Sequence, residues 1–493
     1  MTEQYKIFEA ELTGPDRGNP YEDIWLKAAF TNDSEVCEVN GFYCGGGRYK
    51  IRFMPPKPGE WTAITRSNDR SLDQILLHCT CIPAGEENHG RVLLKSQVVP
   101  SGGDEDRFHF AYEDGTKFLP FGTTCYAWVN QPEEVQEQTL KTLKDSPFNK
   151  VRMCIFPKFY TYNTANPERY AFLGNEEEGF DFTRFNPEFW DNLERRIGQL
   201  DALGIEADVI LFHPYDKWGF SKMGRERDVF YLKYAVDRLC HFKNVWWSMA
   251  NEFDLMPWKV MEDWETYARV VTGRDVYGHL RSIHNCIRFY DHTRPWITHA
   301  SIQRVDVYKT AELVSQWREA YGKPVVVDEC AYEGNINYGW GNITGEEMVR
   351  RFWEGCIRGG YLSHGEVYVQ HEQIWWAHGG RLHGTSPERI GFLKQVMEDV
   401  PEGAVPLKLT PQNHEANWDV PCLCREDGSY FLYYFGFFKP LFRTYELRDG
   451  HRYEIELIDT WKMTVEKLPG TFSGSVRIEL PERQYMAVRM REV

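Results

Sequence analysis

Between about residues 108 and 400, short apolar runs alternate with longer segments of helical periodicity, and this rhythm restricts the possible folds more than any other feature. The runs are "KFLPFGTTC", "FNKVRMCIF", "GIEADVILF", "NVWWSMAN", "PWITHAS", "RVDVY", "KPVVVDE" and "GYLSHGEVY". Most have the length and the β-branched or aromatic content of buried strands. Helical patterns lie between most of them. One is "NPEFWDNLERRIGQLDALG", which ends at Gly204, and another is "GRDVYGHLRSIHNCIRFYD". Eight strands with intervening helices over roughly 290 residues predict an α/β fold, a (β/α)8 TIM barrel. A doubly wound open sheet is the rival. No G-x-G-x-x-G opens the first helix, which argues against a dinucleotide-binding version.

The flanks have a different rhythm. Residues 1–100 carry "IWLKAAF", "RYKIRFM", "EWTAITR" and "QILLHCTCI", broken by "GPDRGNP", "CGGG" and "PPKPGE", a pattern that predicts a small β-sandwich. "VVPSGGDEDR" (98–107) reads as a linker to a barrel over 108–400. From 405 to 493, "SYFLYYFGFF", "RYEIELIDTW", "SVRIELP" and "QYMAVRMRE", with turns "EDGS" and "RDGH", predict a second β-sandwich.

Composition narrows the function. The net charge is −16 and the Lys and Arg residues form no basic block, which argues against nucleic acid or an anionic membrane as a partner. No run approaches the ~18 apolar residues of a membrane span. "MTEQYKIFEAEL" shows no leader pattern, so the expected location is cytoplasmic. The 12 Cys are scattered without zinc-ligand spacing and read as buried reduced thiols. No metal or other cofactor is expected, and homo-oligomer formation is left open.

In "NVWWSMANEFD" an apolar strand ends in Asn251 and Glu252, and "KPVVVDE" ends in Asp328 and Glu329. By strand count these are strands four and seven, across the barrel mouth, where active sites of this fold lie. Two carboxyls facing each other across a cleft suit glycoside hydrolysis: one protonates the leaving oxygen, the other attacks carbon or activates water. Acidic residues after strands also cap helices. Two Glu at these two strand ends favour the catalytic reading. Strand side chains alternate, so Asn251 and Glu252 can share the site only if the strand bends or bulges. The same holds for Asp328 and Glu329, and periodicity does not choose between those two.

An Asn-Glu after strand four and a Glu after strand seven resemble the clan A retaining glycosidases. "FLPFGTTCYAWVNQPEEVQEQTLKTLKDSPFNKVRMCIFP", "NVWWSMANEFDLM", "YGHLRSIHNCIRFYDHTRPWITHASIQR", "KPVVVDECAYEGNINYGWGNITGEE" and "SHGEVY" further resemble a bacterial glycoside hydrolase family. That family has an apiosidase-like barrel between an N-terminal immunoglobulin-like domain and a C-terminal β domain. The resemblance covers essentially the whole chain. It implies Glu252 as acid/base and Glu329 as nucleophile of a retaining enzyme; metal independence is expected because the spacing of the His and carboxylate residues matches no ligand pattern. The expected substrate is a small plant-derived oligosaccharide or glycoside, cut by exo action. An endo-acting glucanase and a non-catalytic carbohydrate-binding protein are the alternatives, with a structural scaffold a third.

Further substrate-binding candidates follow from strand ends. Asn251 would bond a sugar 2-hydroxyl. His213, Tyr215 and Asp216 follow strand three in "LFHPYD", and Trp128 follows strand one. His299 is expected to end strand five and Tyr308 strand six. "SHGEVY" contributes His364 and Glu366. "QIWWAHGGRLHG" offers Trp375, Trp376, His378 and His383 in a Gly-rich loop, and "GWGNITGEE" offers Trp340.

Overall fold

The computed structural model of the protein describes residues 1–33, 35–99, 103–371, 373–407 and 420–493. At its centre are eight parallel strands: β1 (Phe121–Thr124), β2 (Lys150–Cys154), β3 (Glu206–Ile210), β4 (Val245–Ser248), β5 (Arg281–Ser282), β6 (Ala300–Gln303), β7 (Val325–Glu329) and β8 (Tyr361–His364). They pair in the order β5-β4-β3-β2-β1-β8-β7-β6. A parallel bridge between His284 and Ser301 and the bond from Thr298 N to Arg281 O (2.9 Å) close the seam. The result is a TIM barrel. Nearly every strand residue is buried, because one face meets the barrel interior and the other the helices.

Among the described residues, seven helices cover the wall: α1 (Glu133–Lys144), α2 (Pro187–Ala202), α3 (Arg225–Leu239), α4 (Met261–Arg274), α5 (Val314–Tyr321), α6 (Gly345–Ile357) and α7 (Ser386–Glu398). Helix α2 starts as its sequence predicts. Asn186 accepts the Glu188 amide proton, Pro187 occupies the first turn, and Gly204 follows the end at φ 69°.

Two strand expectations are corrected. "GRDVYGHLRSIHNCIRFYD" is not a helix. It begins in the last turn of α4 and then supplies β5. "PWITHAS" runs into β6, not β5, and "RVDVY" beyond it forms no strand. The segment expected as a linker starts at the last residue of the helix Lys95–Val98 and contains most of the 3-10 turn Asp104–Phe108; its residues 100–102 lie outside the described residues.

In the N-terminal region a five-stranded sheet (Thr2–Glu3, Leu76–Ile82, Gly59–Ser67, Leu26–Asn32, Glu35–Asn40) and a three-stranded sheet (Phe8–Thr13, Arg48–Phe53, Phe42–Tyr43) share one core. Phe30 of the first stacks on Phe53 of the second at 4.2 Å. C-terminal to the barrel, six strands from Ala404 to Glu492 form one sheet and Phe442–Glu446 with Ser475–Glu479 another. Both β-rich regions are fused to the barrel's outer helices. Arg52 pairs with Glu194 of α2 at 2.7 Å, and Arg238 of α3 meets the same carboxylate at 2.6 Å. Tyr434 stacks on Trp353 of α6 at 5.3 Å. Among the described residues no disulfide joins the cysteines, and most of them are buried. Among the described residues, no helix is long and apolar enough to cross a membrane.

Candidate active site

The ends of β4 and β7 break the strand alternation, each in its own way. Past β4, Glu252 takes a left-handed conformation, φ 51° and ψ 55°. That conformation costs a non-glycine residue roughly 1–2 kcal/mol. It turns the chain so that Asn251 and Glu252 enter the same space. On β7, Ile302 pairs with Val327 but Gln303 with Glu329, so Asp328 is the extra residue of a bulge. Asp328 then faces the barrel interior, bonded to Lys150 (2.8 Å), Ser301 Oγ (2.5 Å) and Ser363 Oγ (2.8 Å). Glu329 reaches the mouth above it.

The two carboxyls are linked by a short relay. Tyr126 donates its hydroxyl proton into the space between Glu329 Oε1 and Asn251 Oδ1, touching both. Asn251 Nδ2 donates to Glu252 Oε2 at 3.2 Å. Arg152 supports the relay from below, with Nη1 on the Tyr126 oxygen (2.9 Å) and Nη2 on Asn251 Oδ1 (3.2 Å). His284 Nε2 lies 3.3 Å from Glu329, and its Nδ1 is 3.0 Å from Ser301 Oγ. Tyr215 and Cys286 lie against Glu252.

These surroundings drive the two carboxyls apart. Burial pushes the Glu252 pKa above its ordinary value and the charge of Glu329 adds to the rise, against a smaller opposing effect of Lys158. Burial also disfavours charge on Glu329. There, however, the hydrogen bond and attraction of His284, with Arg152 and Lys158, prevail and hold the group at about 2. One carboxyl is set to keep its proton and the other to lose it, the division of labour an acid and a nucleophile require.

Of the candidates named from sequence, Glu252, Glu329, Asn251 and Tyr215 come together here. Trp340 and Trp376 stand 5.2 Å apart in one aromatic cluster with Tyr126, Tyr160, Tyr162 and Tyr332. His378 donates to Asn163 Oδ1 at 2.8 Å, and Asn163 in turn bonds the Lys158 carbonyl, so His378 ties two mouth loops together.

The others are placed elsewhere. Trp128 is fully buried in the core between wall and helices. Trp375 belongs to the same core and donates from Nε1 to Thr123 Oγ1 at 2.8 Å. His213 meets the Phe156 carbonyl, and burial pushes its pKa down to about 4. Asp216 caps a turn by accepting from the amides of Trp218, Gly219 and Ser221. His299 precedes β6 and packs in the barrel floor against Trp246 and Phe110. Tyr308 is 86% exposed and lies in the loop after β6.

His364 and Glu366 point outward, because Ser363 faces Asp328 inside the barrel and alternation sends its neighbour the other way. His364 stacks on Phe148 at 4.8 Å. Glu366 accepts from the amides of His383 (2.5 Å) and Gly384 (2.8 Å). With Glu333, they form a buried group whose ligand-type atoms lie within 4.8 Å of one another, a donor set suited to a divalent cation. Glu333 is engaged by the amides of Thr385 and Ser386 at the start of α7, so these carboxylates anchor that helix to the wall.

Sequence reasoning passed over Tyr126, Arg152, Lys158 and His284. Arg152 carried a signal, a charged residue inside the apolar run "KVRMCIF", since a charge there is rarely buried unless paired. His284 was hidden by the reading of its segment as helix.

A family model described as an apiosidase-like catalytic domain matches residues 104–401. The chain belongs to the apiosidase-like family. Two further models, both of domains of unknown function, match residues 1–68 and 418–491. The crystal structure of an inferred glycoside hydrolase from Bacteroides vulgatus ATCC 8482 is similar over 100% of this chain and 99% of its own, with 37% identity and a TM-score of 0.90. A family 5 glycoside hydrolase from the same organism shares the fold, with a TM-score of 0.63 and 17% identity over 82% of this chain and 93% of its own. No curated protein matches. As a member of the apiosidase-like family, the protein is a glycoside hydrolase, which makes a carbohydrate its substrate.

The two neighbouring tryptophans give a direct test of placement. Trp376→Ala should lower the kcat/KM of the folded enzyme beyond what its lost stability explains, because that ring, though buried, lines the cluster at the mouth. Trp375→Ala should instead cost about 3–5 kcal/mol of stability, as loss of a buried aromatic does. Thermal melts and kinetics on both variants check this; the reverse pattern would exchange the two assignments.

Proposed function

We propose that the protein is a retaining, exo-acting glycosidase of small oligosaccharides or glycosides, with Glu329 as nucleophile and Glu252 as acid/base. The observation that carries this reading is the opposed environment of two carboxyls joined by the Tyr126–Asn251 relay. Glu329 attacks the anomeric carbon as Glu252 gives its proton to the leaving oxygen. A glycosyl-enzyme forms, and Glu252 then takes a proton from the water that cleaves it. Tyr126 and His284 hold the Glu329 carboxylate in line for attack. Asn251 is placed to bond a sugar hydroxyl beside the reacting carbon.

Exo action is supported by the walling of one side of the mouth. Tyr162 bonds Asn337 (2.9 Å), Asn335 bonds Gln370 (2.5 Å) and His378 bonds Asn163 (2.8 Å). These contacts join the loops after β2, β7 and β8. An endo enzyme needs a cleft open at both ends, whereas a pocket closed on one side suits removal of a terminal sugar.

Two measurements test the reading. Proton NMR of the first-formed sugar from a nitrophenyl glycoside, pyranosides and furanosides both screened, should show the substrate's anomeric configuration; an inverted sugar would refute retention. The pH profile should follow the two environments. Activity needs Glu329 ionised and Glu252 protonated, so it falls as pH rises through the Glu252 pKa, which lies above the ordinary 4.5. On the acid side it persists toward about 2, where Glu329 protonates. An acid limb centred near an ordinary carboxyl value would show that His284 and Arg152 do not hold the Glu329 carboxylate low.

A further inference from the structure

Lys158 follows β2, is 3% exposed, and enters the chemistry above only through its charge. Its ammonium stands 3.9 Å from the ring centre of Tyr126, 4.3 Å from that of Tyr215 and 4.4 Å from that of Trp376. Among the described residues it makes no hydrogen bond and no ion pair within 4.0 Å. Aromatic faces attract a cation but are poor partners for its three N–H donors. A desolvated ammonium is costly to keep in that state unless something accepts those bonds. The cage also has a direction. Two of its rings carry hydroxyls that touch the carboxyls, Tyr126 at Glu329 and Tyr215 at Glu252. The ammonium therefore borders the space between Glu252 and Glu329 where a terminal sugar must lie.

We infer that Lys158 is a substrate-contacting residue that donates hydrogen bonds from Nζ to hydroxyl oxygens of a neutral terminal sugar, an inference resting on the glycosidase reading above. Charge balance favours a hydroxyl over a sugar carboxylate. Glu329, held ionised by His284, Arg152 and Lys158, borders the same space, and its charge would repel a second carboxylate there. A hydroxyl meets no such repulsion and adds no second buried charge. The ionisable groups that act on Lys158 are Glu252, Glu329, Cys154 and Arg152, and His213 feels its charge from β3. Its cation restrains the rise of the Glu252 pKa. Removing the cation lets that pKa climb further.

The test is Lys158→Met in the full-length protein, which keeps the unbranched stem to its fourth atom and removes the ammonium with its charge and donors. On the best neutral nitrophenyl glycoside, kcat/KM should fall about 10- to 100-fold, the effect of losing a charged hydrogen bond. The basic limb of the pH profile should move to higher pH. An unchanged kcat/KM, or a fall that tracks only a lower Tm with the limb in place, would overturn the inference. If wild type prefers nitrophenyl glycuronides to the matching neutral glycosides and the variant loses that preference, the neutral-sugar assignment is wrong. If wild type cleaves no glycoside, the proposed function has failed, and Lys158 is judged by thermal shift with free neutral monosaccharides. A shift seen in wild type and lost in Lys158→Met supports the contact; equal shifts, or none, overturn it. Should Lys158→Met not fold, Lys158→Gln goes through the same measurements.

Discussion

Glu329→Ala should leave no measurable turnover of any glycoside, whatever its leaving group, because no glycosyl-enzyme can form without the carboxylate. A loss on the order of 10⁴-fold or more is expected for a nucleophile. Sodium azide should restore cleavage by entering the vacated space and should give a glycosyl azide of inverted configuration. Removing the carboxylate also leaves Arg152 and His284 without the group they hold. Glu329→Gln, which keeps the side chain's shape, is therefore the control that separates lost chemistry from lost packing. Both variants should be inactive. Full activity in either would remove Glu329 from the mechanism.

Glu252 should respond differently. With a poor leaving group, Glu252→Ala should lose about 10²–10⁴-fold, the usual contribution of a general acid. With a dinitrophenyl leaving group, which needs no proton, glycosyl-enzyme formation should be nearly unimpaired, so its hydrolysis becomes rate-limiting. Azide should then accelerate turnover and give a glycosyl azide of the substrate's own configuration. A leaving-group-independent loss would sink the acid/base role. The backbone adds a second expectation. Glu252 is left-handed at φ 51°, a conformation glycine adopts without strain. Glu252→Gly should be inactive toward poor leaving groups yet at least as stable as Glu252→Ala in a thermal melt. A site that stores strain at its acid is one that exchanges stability for function.

Much of the barrel was legible because six of its strands are apolar runs that contrast with their surroundings. The two that were misplaced, β5 and β6, show where that signal fails. β5 is only Arg281–Ser282, too short for any periodicity and polar in both residues. It holds its place through hydrogen bonds to β4 and to the segment before β6, contacts remote in sequence. Without a signal for β5, "PWITHAS" reads as one strand too early in the count. His299 is then set at the mouth instead of the floor, and Tyr308 at the end of a strand that does not exist. His364 and Glu366 failed for another reason: a strand end can present either face, and only the inward bond of Ser363 to Asp328 shows which one is turned to the lumen.

The sequence by itself determined that a parallel barrel stands between two β-rich regions and that Glu252 and Glu329 close its fourth and seventh strands. A charge at the end of a buried run is a local signal, and local signals survive in one dimension. The tertiary structure alone decided that the left-handed turn at Glu252 and the bulge at Asp328 aim both glutamates at one point. It alone showed that Tyr126 and Asn251 join them and that three rings enclose Lys158. The physical reason is that a pKa and a hydrogen bond depend on atoms within a few ångströms, contributed here by strands more than a hundred residues apart, such as those bearing Tyr126 and Glu329.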